Sequence, residues 1–176
     1  MIVINLFGAP GSGKSTGAAY IFSQLKMHNI NCELVTEFAK DKTWENNKKV
    51  FNDQFYIFGK QHFKMSRLES EVDVVITDAP LWNSIVYNTL TGTKKEMFNE
   101  IVMYEFNKYK NLNYFIDRVK PYNPKGRSQS ENEAKTLANN ILEFLVDYEV
   151  SFVMRSGNKE GYDSIVSETL QYLTII

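Results

Sequence analysis

The stretch "GAPGSGKST", residues 8–16, constrains this chain more than any other part of it. It fits G-x-x-x-x-G-K-[ST], and the apolar run "IVINLF" stands directly before it. Glycines let the backbone curl inward, so that its N–H groups converge on phosphate oxygens. A helix opening at Lys14 would aim the positive end of its dipole at the same point. On this reading Gly8, Ala9, Pro10, Gly11, Ser12 and Gly13 form a phosphate cradle, completed by Lys14, Ser15 and Thr16. Lys14 reaches the outer phosphates and Ser15 offers its hydroxyl to Mg²⁺. The expected ligand is therefore ATP with Mg²⁺.

Such a cradle needs a buried strand behind it and a helix after it, and the rest of the chain repeats that pairing. Short runs rich in Val, Ile and Phe recur at residues 2–7, 32–35, 72–77, 114–116 and 150–154. Continuous apolar runs suit strands buried on both faces, as in a parallel sheet covered by helices. Between them stand segments of helical period. Residues 14–28 carry Ala18, Ile21, Phe22 and Leu25, while Phe51, Phe55, Phe58, His62 and Met65 form a second stripe. Thr93 with Glu96, and Ser130 with Glu133, read as capping boxes ahead of two further helices. Tyr162, Ile165, Val166, Leu170 and Leu173 mark the last helix.

This alternation predicts right-handed crossovers and an α/β fold of the P-loop NTPase kind. The expected sheet is parallel and five-stranded, ordered 2-3-1-4-5, with helices on both faces. Residues 78–93 leave room for a short helix, and residues 117–131, with two prolines and four basic residues, read as a lid segment. The whole of 1–176 reads as a single domain, a length that suits one core.

The net charge of −1, from 20 Lys+Arg and 21 Asp+Glu, argues against a broad non-specific DNA-binding surface. Cys32 is the single cysteine, which excludes an internal disulfide or a cysteine-built zinc site and fits a reducing compartment. No apolar run approaches the ~20 residues needed to span a bilayer. The N-terminal run is too short for a signal peptide and lacks a basic leader. The expectation is a soluble, cytoplasmic protein with no membrane partner, as either a monomer or a homodimer.

Magnesium beside a phosphate cradle needs a carboxylate at the end of a neighbouring strand, and "DVVITD", residues 73–78, supplies Asp78. Gln54, Phe58, Gln61 and Met65 fall at i, i+4, i+7 and i+11 on one helical stripe. Phe58 could offer a face to a flat heterocycle, and Gln54 and Gln61 paired donors and acceptors. An ordinary amphipathic helix explains the same pattern equally well. His28 and His62 read as a helix-end and a core-edge residue, with no metal site assigned to them.

The pieces "GAPGSGKST", "LVTEFAKD", "NDQFYIFGKQ", "VVITDAPL" and "DRVKPYNPKGRSQSENEA" cover most of the chain. In order and spacing they resemble the P-loop kinases of small metabolites and nucleosides, above all ribosylnicotinamide kinase domains and related phage-encoded kinases. The resemblance implies a Mg·ATP-dependent kinase acting on a hydroxyl of a nucleoside, nucleotide or ribosyl compound. It makes Glu37, in "LVTEF", the general base beside the acceptor, with Asp78 able to share the role. It makes Arg118 and Arg127 the lid cations that answer the charge on the transferring phosphate. The phage kinases imply a second acceptor, a hydroxymethyl pyrimidine in DNA, with Lys120, Lys125 and Arg127 tracking phosphates; the cytoplasm would then be the host's. A reading from another class is an ATPase switch acting on a protein partner. The chain has no Asn-Lys-x-Asp motif and no transporter signature, and it is too short for an AAA+ module with a helical lid domain, which ranks those readings lower.

Overall fold

A computed structural model describes residues 1–123 and 130–175. Strands β1 (Ile2–Phe7), β2 (Cys32–Val35), β3 (Val74–Thr77), β4 (Lys110–Asp117) and β5 (Val153–Ser156) form one sheet. Its order is β2-β3-β1-β4-β5, and every pairing is parallel, as the alternation predicts for a P-loop NTPase fold. The connections carry helices α1 (Lys14–Met27), α2 (Phe38–Trp44), α3 (Gln54–Ser66), α4 (Asn83–Val86), α5 (Gly92–Asn107), α6 (Glu131–Asp147) and α7 (Lys159–Ile175), with a 3-10 helix at Lys48–Asn52.

The period of two along each strand divides the core into two layers. Ile2, Ile4 and Leu6 of β1 join Val74 and Ile76 of β3 under α1 and α7. Val3, Phe7, Val75 and Phe115 face the other way, toward Phe58, Trp82, Phe98 and Ile141. Asn5 is a polar residue inside β1, and its Nδ2 donates to Asn111 Oδ1 at 2.8 Å and Asn113 Oδ1 at 2.9 Å. These partners on β4 satisfy an amide that burial would otherwise penalise.

Several local readings shift. The last strand lies at Val153–Ser156, and Val150 and Phe152 instead pack against the core from the segment before it. α5 opens at Gly92 with Thr91 as its cap and no side-chain capping bond, so the box read at Thr93 does not form. The box at Ser130 does, with Glu133 N donating to Ser130 Oγ at 3.3 Å and Ser130 N to Glu133 Oε2 at 2.6 Å. Phe51 falls in the 3-10 helix and Phe55 is 45% exposed; the buried line on α3 is Gln54, Phe58, Gln61 and Met65. Asp53 resets the helical phase there by capping α3, accepting the Tyr56 N–H at 3.0 Å.

Because all five strands run the same way, the segments after β1, β2, β3, β4 and β5 emerge along one edge. Open parallel sheets bind ligands at that edge. Among the described residues no helix is long and apolar enough to cross a membrane.

Candidate active site

The cradle follows β1 directly. Gly13 holds φ at 103°, a conformation in which a side chain is strained, and a Cβ there would meet the Tyr162 hydroxyl. That hydroxyl donates to Gly13 O at 3.0 Å, so α7 seats the turn from which α1 starts. The Lys14 ammonium donates to Gly8 O at 2.5 Å and Ala9 O at 3.0 Å, lying across the loop it would share with phosphate.

Ser15 and Asp78 meet as expected: the Ser15 hydroxyl donates to Asp78 Oδ2 at 2.5 Å. Asp78 is 6% exposed, and its Oδ1 is buried with no hydrogen-bond partner among the described residues. Glu37 stands two residues beyond β2, as the N-terminal cap residue of α2. Burial pushes its carboxyl pKa up; the Lys14 charge opposes this and the Asp78 charge adds to it. Tyr87 is pushed up to about 12, by desolvation and then by the negative Glu37. Ser15, Glu37 and Asp78 line a single cavity of about 230 Å³, together with Thr36, Lys40, Asp41 and Trp44.

Thr36, Lys40, Asp41 and Trp44 escape a sequence reading because α2 has no buried residue and so no apolar stripe. The one usable signal is an acid at the cap position with Asp41 in the first turn. Gln54, Phe58 and Gln61 are all buried, and none of them lines this cavity. Gln54 Nε2 donates to Phe51 O at 3.1 Å, and the Gln61 amide bonds the backbone around Glu37. The structure thus places these three residues on the buried line of α3, apart from the cavity that holds Glu37.

Arg118 follows β4 and lines a second cavity of about 300 Å³ with Ala9, Pro10, Ser12, Lys135 and Asn139. It donates to Glu131 Oε1 at 2.8 Å and lies 5.2 Å from the Tyr122 ring centre. Arg127 lies outside the described residues, as does the rest of 124–129 within the expected lid. His28 caps the end of α1, and His62 contacts Glu105 at 2.9 Å. Among the described residues no group of three or more His, Cys, Asp or Glu side chains is arranged to hold a metal.

A family model described as an AAA domain matches residues 3–160, from β1 into α7. The match covers the cradle and its sheet, not the added helical lid domain for which the chain is too short. Two solved structures match over nearly the whole chain. Deoxyadenosine kinase from M. mycoides with bound dATP is 19% identical, covers 98% of this chain and 99% of its own, and has a TM-score of 0.59. The same enzyme with the products dCMP and a flexible dCDP is 18% identical, covers 99% and 100%, and has a TM-score of 0.56. At that identity the likeness shows the fold. No curated protein matches.

Proposed function

This chain belongs to the AAA domain family, and we propose that it is an ATP- and Mg²⁺-dependent kinase that transfers the γ-phosphate to a hydroxyl of a nucleoside or nucleotide. The observation that carries the reading is the single cavity in which Ser15, Asp78 and Glu37 converge. An alcohol acceptor and an attacking water both lose a proton to a base, so Glu37 serves either, and the likeness to a nucleoside kinase is what favours the alcohol. The likeness to deoxyadenosine kinase over 98% of the chain supports a nucleoside as acceptor ahead of ribosylnicotinamide or a base in DNA.

The Ser15 hydroxyl and the Asp78 carboxylate are hard oxygen donors of the kind Mg²⁺ prefers, and the orphaned Asp78 Oδ1 could accept from the ion's water shell. Magnesium held there supplies positive charge against the phosphate oxygens. Backbone N–H groups from Gly11 to Thr16 bind the triphosphate, and Lys14 exchanges its carbonyl contacts for phosphate oxygens. Glu37, ionised, accepts the proton of the acceptor hydroxyl as the new P–O bond forms. Arg118 and Arg127 stabilise charge on the transferring group, with residues 117–131 acting as the lid of a single domain spanning 1–176.

The test is transfer of labelled γ-phosphate to deoxynucleosides, ribonucleosides, mononucleotides, ribosylnicotinamide and oligonucleotides carrying hydroxymethyl pyrimidines. Label on a nucleoside or nucleotide is expected. Label confined to the oligonucleotides would move the acceptor to DNA. Stoichiometric phosphate release with no labelled acceptor would make the protein an ATPase.

A further inference from the structure

We infer that Gln61 is a positioning residue for Glu37, holding from both sides the turn that carries this carboxylate. The inference rests on the kinase reading, in which Glu37 takes the acceptor's proton. Gln61 lies on the buried line of α3 and is 5% exposed. Its Oε1 accepts the Phe38 N–H at 2.9 Å, and its Nε2 donates to the Thr36 carbonyl at 3.4 Å. Thr36 and Phe38 flank Glu37, so one side chain spans the residue that bears the base. Lys64, one turn further along α3, donates to the same Thr36 carbonyl at 2.8 Å and to the Thr36 hydroxyl at 3.1 Å.

This turn needs an external hold. β2 ends at Val35 and α2 begins at Phe38, so residues 36 and 37 lie between the sheet ladder and the helix. The Phe38 N–H is among the first-turn donors that find no partner inside their own helix. The Glu37 side chain does not cap the helix it precedes, which leaves its carboxylate for the cavity. A side-chain amide answers a backbone donor and a backbone acceptor together from two separate atoms, which lets it reach both flanks of one residue. Those two partners also fix which way it points, since a flipped amide would set oxygen against oxygen. Phe58 and Met65, both buried, lie on either side of Gln61 along the same line of α3.

A base displaced by about 1 Å can cost roughly 10²-fold in rate while binding is barely altered. Loss of the Gln61 amide should therefore lower kcat and leave the Michaelis constants alone, the reverse of what a substrate-reading glutamine would do. The experiment compares Gln61→Met, Gln61→Glu, Glu37→Gln and the double variant Glu37→Gln/Gln61→Met in the intact chain. Kinetics are measured with ATP and deoxyadenosine, and amide hydrogen exchange of Phe38 is followed in the resting protein. Gln61→Met should lower kcat roughly 10- to 100-fold, with both KM values within about twofold and with faster Phe38 exchange. Gln61→Glu keeps an acceptor for the Phe38 N–H and should recover part of the rate. In the Glu37→Gln background Gln61→Met should cost nothing further.

An equal fold-loss in both backgrounds, or a raised deoxyadenosine KM at unchanged kcat, would overturn the inference while leaving Glu37 as the base. Phe38 exchange unaltered in Gln61→Met would overturn it whatever the activity. Wild-type turnover by Glu37→Gln would remove Glu37 as the base and overturn the inference with it, while the kinase reading stands or falls on the label-transfer experiment.

Discussion

The hydroxyl of Ser15 donates to the carboxylate of Asp78 at 2.5 Å across 63 positions of sequence. The contact exists because β1 and β3 are parallel neighbours, with Asn5 aligned to Thr77, so that both strands lead out along the same edge of the sheet. The first helical turn after one strand then meets the residue after the other. Asp78→Asn keeps an oxygen for the Ser15 hydroxyl, so the fold should hold while the Mg²⁺ concentration needed for transfer rises steeply. A titration of activity against Mg²⁺ reads this directly. If Asp78→Asn abolishes transfer while Mg²⁺ binding survives, Asp78 is the base and Glu37 is not.

Lys14→Ala removes the cation meant for the outer phosphates, together with the contacts to Gly8 O and Ala9 O. Phosphoryl transfer should fall by about 10³-fold or more, and the circular dichroism spectrum should be preserved. Transfer at the wild-type rate would remove the cradle from the catalytic machinery.

Glu37 yields a pH dependence of definite sign. Its ionised form is the active one, so kcat/KM should rise with pH through a midpoint higher than that of an ordinary glutamate. Its proton is held more tightly in the folded chain than in the unfolded one. The stability this gives is fully present below the unfolded pKa and is lost as pH rises through the folded pKa. Glu37→Gln should therefore be no less stable than the wild type at neutral pH, while kcat falls roughly 10²-fold. Denaturant melts at two pH values beside the kcat/KM profile test both halves.

A Cβ at Gly157 would press on the carbonyl oxygens of Ser12 and Asp117, the latter at 2.8 Å, and neither is a side chain that can swing away. Gly157→Ala should cost about 1–3 kcal/mol in urea denaturation and weaken ATP binding, because Ser12 belongs to the cradle. Gly59 lies in α3 with nothing within 4 Å of its Cβ position, so Gly59→Ala should be neutral or stabilise by up to about 1 kcal/mol. Equal effects at the two positions would contradict the packing behind β5.

The features legible in the sequence are those with a strong local cause. Ile2–Phe7 is apolar at every residue but Asn5 because both faces are covered, and the strand order comes with the phosphate-loop fold that the glycine motif implies. Asp78 was legible because a run of Val, Ile and Thr ends at it. What depends on chain geometry at one residue was not. Thr91 and Thr93 are equally good caps on paper, and only the path out of α4 selects the first. Gln61 has the spacing of a substrate reader and of a core residue alike; the exit of β2 turns its amide onto Thr36 and Phe38. α2 buries nothing, so hydrophobic period carries no trace of the wall it builds beside Glu37.

β1 occupies the middle of the sheet, with Ile2 aligned to Val74 on one side and to Lys110 on the other. Neither partner is local, and pairing over such separations is slow because the intervening chain must be closed before any ladder bond rewards it. During refolding, helical signal should return ahead of any capacity to hold a triphosphate, since the loop after β1 takes its shape only once both neighbours are in place. Nucleotide added to a refolding reaction would thus find nothing to bind until the slow step is over. Its effect should fall on the escape from the native state: unfolding slows as ATP concentration rises, and the folding limb of the chevron stays where it was.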